Sequence, residues 1–274
     1  MVSLFRWSSI CWIVFILFAG ASVAALPNAQ APEVTSSSDV SALSILKRTL
    51  NLLANQKQFS FTAELGFDVV QDDGQKIEFG SRRRLIIQRP DRIRIESQER
   101  NGQKLQMIYN GREISFFSAR ENKYAIKPKT GTLDDFLNLL VEELEVEIPL
   151  AQVGYKDFPE IIMEKIDAGS IVGESTVAGI LCDHLTFRND QTDFQIWIRK
   201  SGGDPLPVRW VITYKRNEGQ PQFWVQFIEW NLNPNIDDST FSFTPPKGAE
   251  RIQFVTESSA YQQGVENPIK EDEQ

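Results

Sequence analysis

Histidine occurs once in the 274 residues, cysteine twice and methionine three times. A single histidine excludes a histidine-rich metal centre and leaves little for an imidazole relay. Cys11 lies in an apolar N-terminal run, so Cys182 stands alone in the remainder and no internal disulfide is expected there. Basic residues are also short, 29 Lys and Arg against 37 Asp and Glu. That balance excludes nucleic acid as a partner, which rewards concentrated Lys and Arg. The basic triplet Arg82-Arg83-Arg84 is local, with Glu78 and Asp91 close by. Beyond the N-terminus no run is long and apolar enough to span a membrane. Signatures of common chemistry are missing too: no G-x-S-x-G, phosphate-cradling glycine loop, H-E-x-x-H or C-x-x-C.

What is present begins with an export pattern. Arg6 precedes the apolar stretch Ile10–Phe18, and small residues follow from Ala19 to Ala25. This order reads as a secretory signal peptide over residues 1–25, cleaved after Ala24 or Ala25. Ile10 to Ala25 is 16 residues, short of the roughly 20 that a spanning helix needs. Residues 26–40, rich in Pro and Ser, read as a flexible lead-in. Residues 41–255 read as one domain, and the polar stretch 256–274 as a disordered tail.

Within the domain the hydrophobic period decides the elements. Ser41–Gln56 carries Leu43, Leu46, Leu50 and Leu53 at helical spacing. From Phe59 the period becomes two, and Asp73-Gly74, Asn101-Gly102 and Asn110-Gly111 mark tight turns between strands. Leu133–Ile148 is a second, broader helix, with Phe136, Leu137, Leu140 and Leu144 on one side. Strands resume at Ser170, and Phe241 and Phe243 are read as a short last strand. Roughly ten or eleven strands and two helices result, in sequential antiparallel pairs. The fold class is mainly β with two lid helices, an α+β arrangement. A sheet this wide curls or closes.

Apolar and aromatic side chains occur on both faces of the later strands. Phe223 and Phe227 alternate with Trp224 and Trp230. Either helices cover one face and curvature closes the other, or the concave face holds an apolar ligand. The lining candidates are Ile93, Ile95, Trp197, Trp210, Phe223, Trp224, Phe227 and Trp230, with the facing of each strand left open. Cys182 and His184 share a strand face, but two-residue spacing holds them about 6–7 Å apart, too far for a nucleophile–base bond. A buried thiol and a satisfied imidazole are expected instead. The adjacent carboxylates Asp134/Asp135 and Glu142/Glu143 read as a solvated helix face. No catalytic residue, metal or cofactor is assigned.

Three segments in order carry a family resemblance. They are Leu85–Arg94, with Arg89-Pro90 at its centre, Tyr109–Phe117, and Thr240–Gly248. Together they resemble the LolA-like outer-membrane lipoprotein carriers over most of Phe59–Val255. The stretch Gly179–Arg199, with Trp197, is more similar to an uncharacterised group of predicted periplasmic proteins sharing that fold. The resemblance implies an incomplete, strongly curved antiparallel β-barrel whose helices lid an apolar cavity. It also implies a periplasmic, non-enzymatic, carrier- or chaperone-like binding protein for acyl chains or a lipidated partner. Arg89 matches the arginine that in this family bonds the lid and keeps the empty cavity closed, with Phe136, Leu140 and Leu144 on the lid. The expected partners are an acyl chain or lipoprotein, or membrane-anchored envelope proteins, for a monomeric chain. The alternatives are an envelope-sensing interaction module on the same fold, or an envelope hydrolase.

Overall fold

Two-residue alternation dominates the chain, and the structure is accordingly a single broad sheet with helices on one side. The computed structural model describes residues 37–142 and 151–254. The expected signal peptide, most of the lead-in and the tail lie outside the described residues, as do residues 143–150 and with them Leu144.

The chain opens with α1 (Ser37–Ala54) and then six strands, β1 (Gln58–Val70), β2 (Lys76–Gln88), β3 (Arg92–Glu99), β4 (Lys104–Tyr109), β5 (Glu113–Ser118) and β6 (Lys123–Pro128). Next come α2 (Leu133–Glu142), a 3₁₀ turn (Ala151–Gly154) and α3 (Phe158–Met163). Five more strands follow, β7 (Ala168–Val177), β8 (Ile180–Arg188), β9 (Thr192–Arg199), β10 (Pro207–Tyr214) and β11 (Gln222–Asn231). A second 3₁₀ turn (Asp238–Phe241) and the two-residue β12 (Glu250–Arg251) end the described chain.

The strands form one twelve-stranded sheet in the order β12-β6-β5-β4-β3-β2-β1-β11-β10-β9-β8-β7. Each half is a meander, as the short Gly-containing turns require, and the long β1 joins β11 to fuse the halves. Gly102 and Gly111 hold φ of 85° and 82°, values that suit glycine at the hairpin turns. All pairs are antiparallel except β12 with β6. The edge strands β7 and β12 do not pair, so the barrel is incomplete, as expected.

One face of the sheet is lined by Phe59, Phe61, Ala63, Leu65, Leu85, Ile87, Ile93 and Ile95 from one half and Leu185, Phe187 and Ile196 from the other, in a single core. Leu46 and Leu50 of α1, Phe136 and Leu140 of α2, and Phe158 of α3 belong to the same core. Residues from both halves meet beneath the same helices, which makes this the concave face. The outer face is covered at one end by the C-terminal segment, where Phe241 packs on Ile86 and Ile108.

Three expectations need correction. The first helix starts at Ser37 rather than Ser41, so the end of the lead-in is helical. Phe158–Met163 is a helix that periodicity missed, being only six residues long. Phe241 and Phe243 do not form a strand. Asp237 caps a 3₁₀ turn there by accepting from the Thr240 amide at 3.0 Å, and Phe241 becomes an anchor. The second helix is described over Leu133–Glu142, and the rest of the expected Leu133–Ile148 lies outside the described residues.

Candidate functional site

The concave face and the elements that lie on it make the site. β2 ends at Gln88, and Arg89-Pro90-Asp91 carries the chain into β3. From this corner the Arg89 guanidinium reaches the turn that follows α2. Nη2 donates to the carbonyls of Val153 at 3.0 Å and Tyr155 at 3.4 Å, and Nη1 donates to the carbonyl of Gly154. Three successive carbonyls of one turn are held by one side chain, a use suited to a planar donor fork. Burial pulls the guanidinium pKa down and the Asp134 carboxylate opposes that. The side chain stays charged because its ordinary value lies so high.

α2 is tied to the same corner. The Leu133 amide donates to the Pro90 carbonyl at 2.8 Å, and the Tyr109 hydroxyl donates to the Gly131 carbonyl at 2.7 Å. Thr132 and Asp135 cap the helix reciprocally. The Thr132 amide and hydroxyl donate to Asp135 Oδ2, each at 2.7 Å, and the Asp135 amide donates to Thr132 Oγ1 at 3.2 Å. These bonds hold the Asp135 carboxyl below the usual carboxylate range. The Lys156 amide donates to Asp134 Oδ1 at 3.2 Å and Tyr155 Oη to Asn138 Oδ1 at 2.9 Å. α2 and the turn 151–156 are therefore tied to each other as well as to the β2–β3 corner. The paired aspartates expected to be solvated have these local partners.

Of the expected lining residues, Ile93, Ile95, Phe223 and Phe227 are buried in the concave core, and Trp210 and Trp230 pack against it. Phe136 and Leu140 of α2 lie in the same core. Trp197 and Trp224 are placed differently, on the outer face. Trp197 stacks on His184 with ring centroids 4.1 Å apart. Trp224 donates from Nε1 to Glu78 Oε2 at 2.9 Å, and the Arg209 guanidinium lies over both tryptophans. Strict alternation would set Trp230 beside Trp224. A bulge decides otherwise: Glu229 pairs with Thr62 but Phe227 with Ala63, leaving Ile228 as the extra residue. The parity of β11 flips, and Trp230 packs 4.8 Å from both Phe61 and Phe227 on the concave side.

Cys182 and His184 do not face each other chemically. Cys182 Sγ donates to the Ile180 carbonyl at 3.3 Å, while His184 Nε2 meets Gln195 Oε1 at 3.0 Å. Burial pushes the Cys182 thiol up, away from the thiolate a nucleophile needs. The outer face also has a groove of about 490 Å³ lined by Arg82, Arg84, Glu96, Gln98, Lys104 and Phe117. Charged side chains and their aliphatic stems share its walls with Leu105 and Phe117.

Arg89, singled out from the sequence, meets the carbonyls of Val153–Tyr155, which display only backbone to it and were not among the expected residues. Tyr109, whose ring is fully buried beneath α2, was not among them either. Its place in the alternating row with Ile93 and Ile114 was the available signal.

A family model described as "Predicted periplasmic protein (DUF2092)" matches residues 42–255. No curated protein matches the chain. Among solved structures the chain is similar to an uncharacterized conserved protein from Thermus thermophilus. Identity there is 14%, over 78% of this chain and 99% of that one, with a TM-score of 0.44. It is similar to the lipoprotein LppX from Mycobacterium tuberculosis, with 12% identity, coverage of 73% and 100%, and a TM-score of 0.45. It is similar also to a LolA superfamily protein from Nitrosomonas europaea, with 10% identity, coverage of 74% and 97%, and a TM-score of 0.39.

Proposed function

We propose that this chain, which belongs to the DUF2092 family of predicted periplasmic proteins, binds acyl chains reversibly on its concave face. It is a periplasmic protein, and its ligand is the acyl part of a lipid or of a lipidated partner. The observation that carries the reading is the hold of Arg89 on the Val153, Gly154 and Tyr155 carbonyls. A hydrogen-bonded latch at the edge of an otherwise apolar contact can be broken and remade without unfolding the sheet.

The concave face is occupied by side chains of α1, α2 and α3. A ligand therefore enters by displacing α2 and its turn, and its methylenes replace Phe136 and Leu140 against the strands. The exchange is nearly balanced, because each buried methylene returns about 0.8 kcal/mol. Near balance is what reversible uptake and release require. No covalent step is involved.

A second reading, an envelope-sensing interaction module, draws on β7. That edge strand exposes Ile171 and Val172, and β8 exposes Leu181 beside it, a place where a partner strand could add. The register shift between Ile171 and Gly173 blunts the edge, so this reading stands second.

Native mass spectrometry of the periplasmic protein, before and after solvent extraction, tests the proposal. The expected result is a stoichiometric lipid or lipidated species that extraction removes. A clean unliganded mass, together with failure to bind a fluorescent acyl probe, overturns it.

A further inference from the structure

The triplet Arg82-Arg83-Arg84 is divided by the strand it occupies. Alternation along β2 sends Arg82 and Arg84 outward, where both are exposed. Arg83 turns to the concave face, between Ala63 of β1 and Ser97 of β3.

Read from the β1–β2 hairpin inward, the concave row of β2 is graded. Ile77 and Phe79 are 39% and 47% exposed, Ser81 is 4% exposed, Arg83 follows half-buried, and Leu85 and Ile87 are fully buried. Phe67 on β1 stacks on Phe79 with centroids 6.1 Å apart. The face thus opens on uncovered apolar surface, passes two polar residues, and closes into sealed core.

Those two polar residues have unmet bonding. Arg83 Nε is buried without a hydrogen-bond partner, and so is Ser81 Oγ. Among the described residues no ion pair or hydrogen bond joins the Arg83 side chain. Glu99, paired with Ser81 across the strands, is the carboxylate that attracts it. Glu99 Oε1 instead accepts from Ser97 Oγ at 2.6 Å. Burial pulls the Arg83 pKa down while Glu99 opposes it. A half-buried guanidinium with no hydrogen-bonded carboxylate gains from an anion brought to it. Arg89 Nε is likewise buried without a partner, but its Nη1 and Nη2 donate to the carbonyls of Val153, Gly154 and Tyr155, whereas neither terminal nitrogen of Arg83 is so engaged.

We propose that Arg83, with Ser81, anchors the anionic head of a single-chain amphiphile whose chain lies on Phe79, Phe67 and Ile77. The head is a carboxylate or a phosphate, and the guanidinium fork with a neighbouring hydroxyl suits either. This deepens the acyl-binding reading above and rests on it, adding selectivity for charge.

The test is competition against a fluorescent acyl probe on the full chain. The competitors are palmitate, methyl palmitate, lysophosphatidic acid and monopalmitoylglycerol. Wild type is expected to prefer each acid over its neutral counterpart by roughly tenfold or more, the usual worth of a charge-assisted bond. Arg83→Met loses that preference while keeping its affinity for methyl palmitate, which reports an intact fold. Arg83→Lys retains part of the preference, and Glu99→Gln increases it. The tighter of palmitate and lysophosphatidic acid assigns the head as carboxylate or phosphate. Equal affinity for acid and ester in wild type, or an undiminished preference in Arg83→Met, overturns the proposal. Binding of no competitor at all overturns the acyl-binding reading, and this inference with it.

Discussion

The ring of Tyr109 lies flat on the ring of Phe136, with centroids 4.6 Å apart and planes 8° from parallel. One residue belongs to the sheet and the other to α2, so this stack is where α2 meets the concave face. Both are fully buried, and the Tyr109 hydroxyl holds the chain just before the helix.

Phe136→Ala removes the stack and leaves a void under α2. A cost of about 3–5 kcal/mol is expected for a buried aromatic, read from the urea midpoint. If α2 is a lid, its amides lose exchange protection before those of β1 and β2 do. Uniform loss of protection across the sheet would mean that α2 is an inseparable part of the core.

Arg89→Leu abolishes three bonds to the 151–155 turn. The acyl-binding reading predicts faster uptake of a fluorescent acyl probe, or retention of cargo through purification, with the sheet intact by circular dichroism. Unchanged probe affinity and release rates would remove Arg89 from the mechanism.

The cap of α2 gives a pH dependence whose sign is fixed. The Thr132 bonds lower the Asp135 pKa in the folded state. Its contribution is fully present above the unfolded carboxylate's pKa and is lost as pH falls through the lower folded value. Protection of α2 should therefore be flat near neutrality and weaken only in the acid range, and Asp135→Asn should flatten that acid response. Thr132→Ala, which removes the N-cap, costs about 1 kcal/mol at neutral pH. A titration in which α2 loosens near neutrality instead would contradict this origin.

Gly66→Ala tests the outer face. A Cβ there would come within 2.6 Å of the Trp224 indole, so the ring must leave its place against β1. The change should break the Trp224–Glu78 bond and shift tryptophan fluorescence to the red, with little effect on acyl binding. A matching fall in probe affinity would mean that the outer face takes part in the site.

Cys182 is buried and its thiol is pushed up by that burial. Alkylation at neutral pH should be slow in the native protein and become fast in denaturant. Native reactivity matching that of a free thiol would require a different placement of β8.

The extent of what was legible follows from which interactions are local. Strand alternation, the Asp-Gly and Asn-Gly turns and the helical leucine spacing are properties of neighbours in the chain. They determined a wide antiparallel sheet of sequential strands, two helices, and the alternating row Phe59, Phe61 and Ala63; that the sheet is an incomplete barrel came from the family resemblance. Arg89 could be singled out by its place before Pro90, in a segment that resembles the carriers. Its partners lie 64–66 residues away and offer only carbonyls, which every residue has, so no side-chain pattern marks them. The facing of Trp230 was likewise beyond the sequence, because one bulged residue, Ile228, reverses the period of two. Arg83 was visible only as one member of a basic triplet. What set it apart from Arg82 and Arg84 was the closing of a curved sheet over one side, which withdraws water from one arginine and leaves it to the other two. The sequence by itself determined α1, the start of α2 and most of the strands, but not α3 or the 3₁₀ turn at Phe241. Only the tertiary structure decided which polar groups are buried without a partner, because burial is a property of the whole surface and not of any segment.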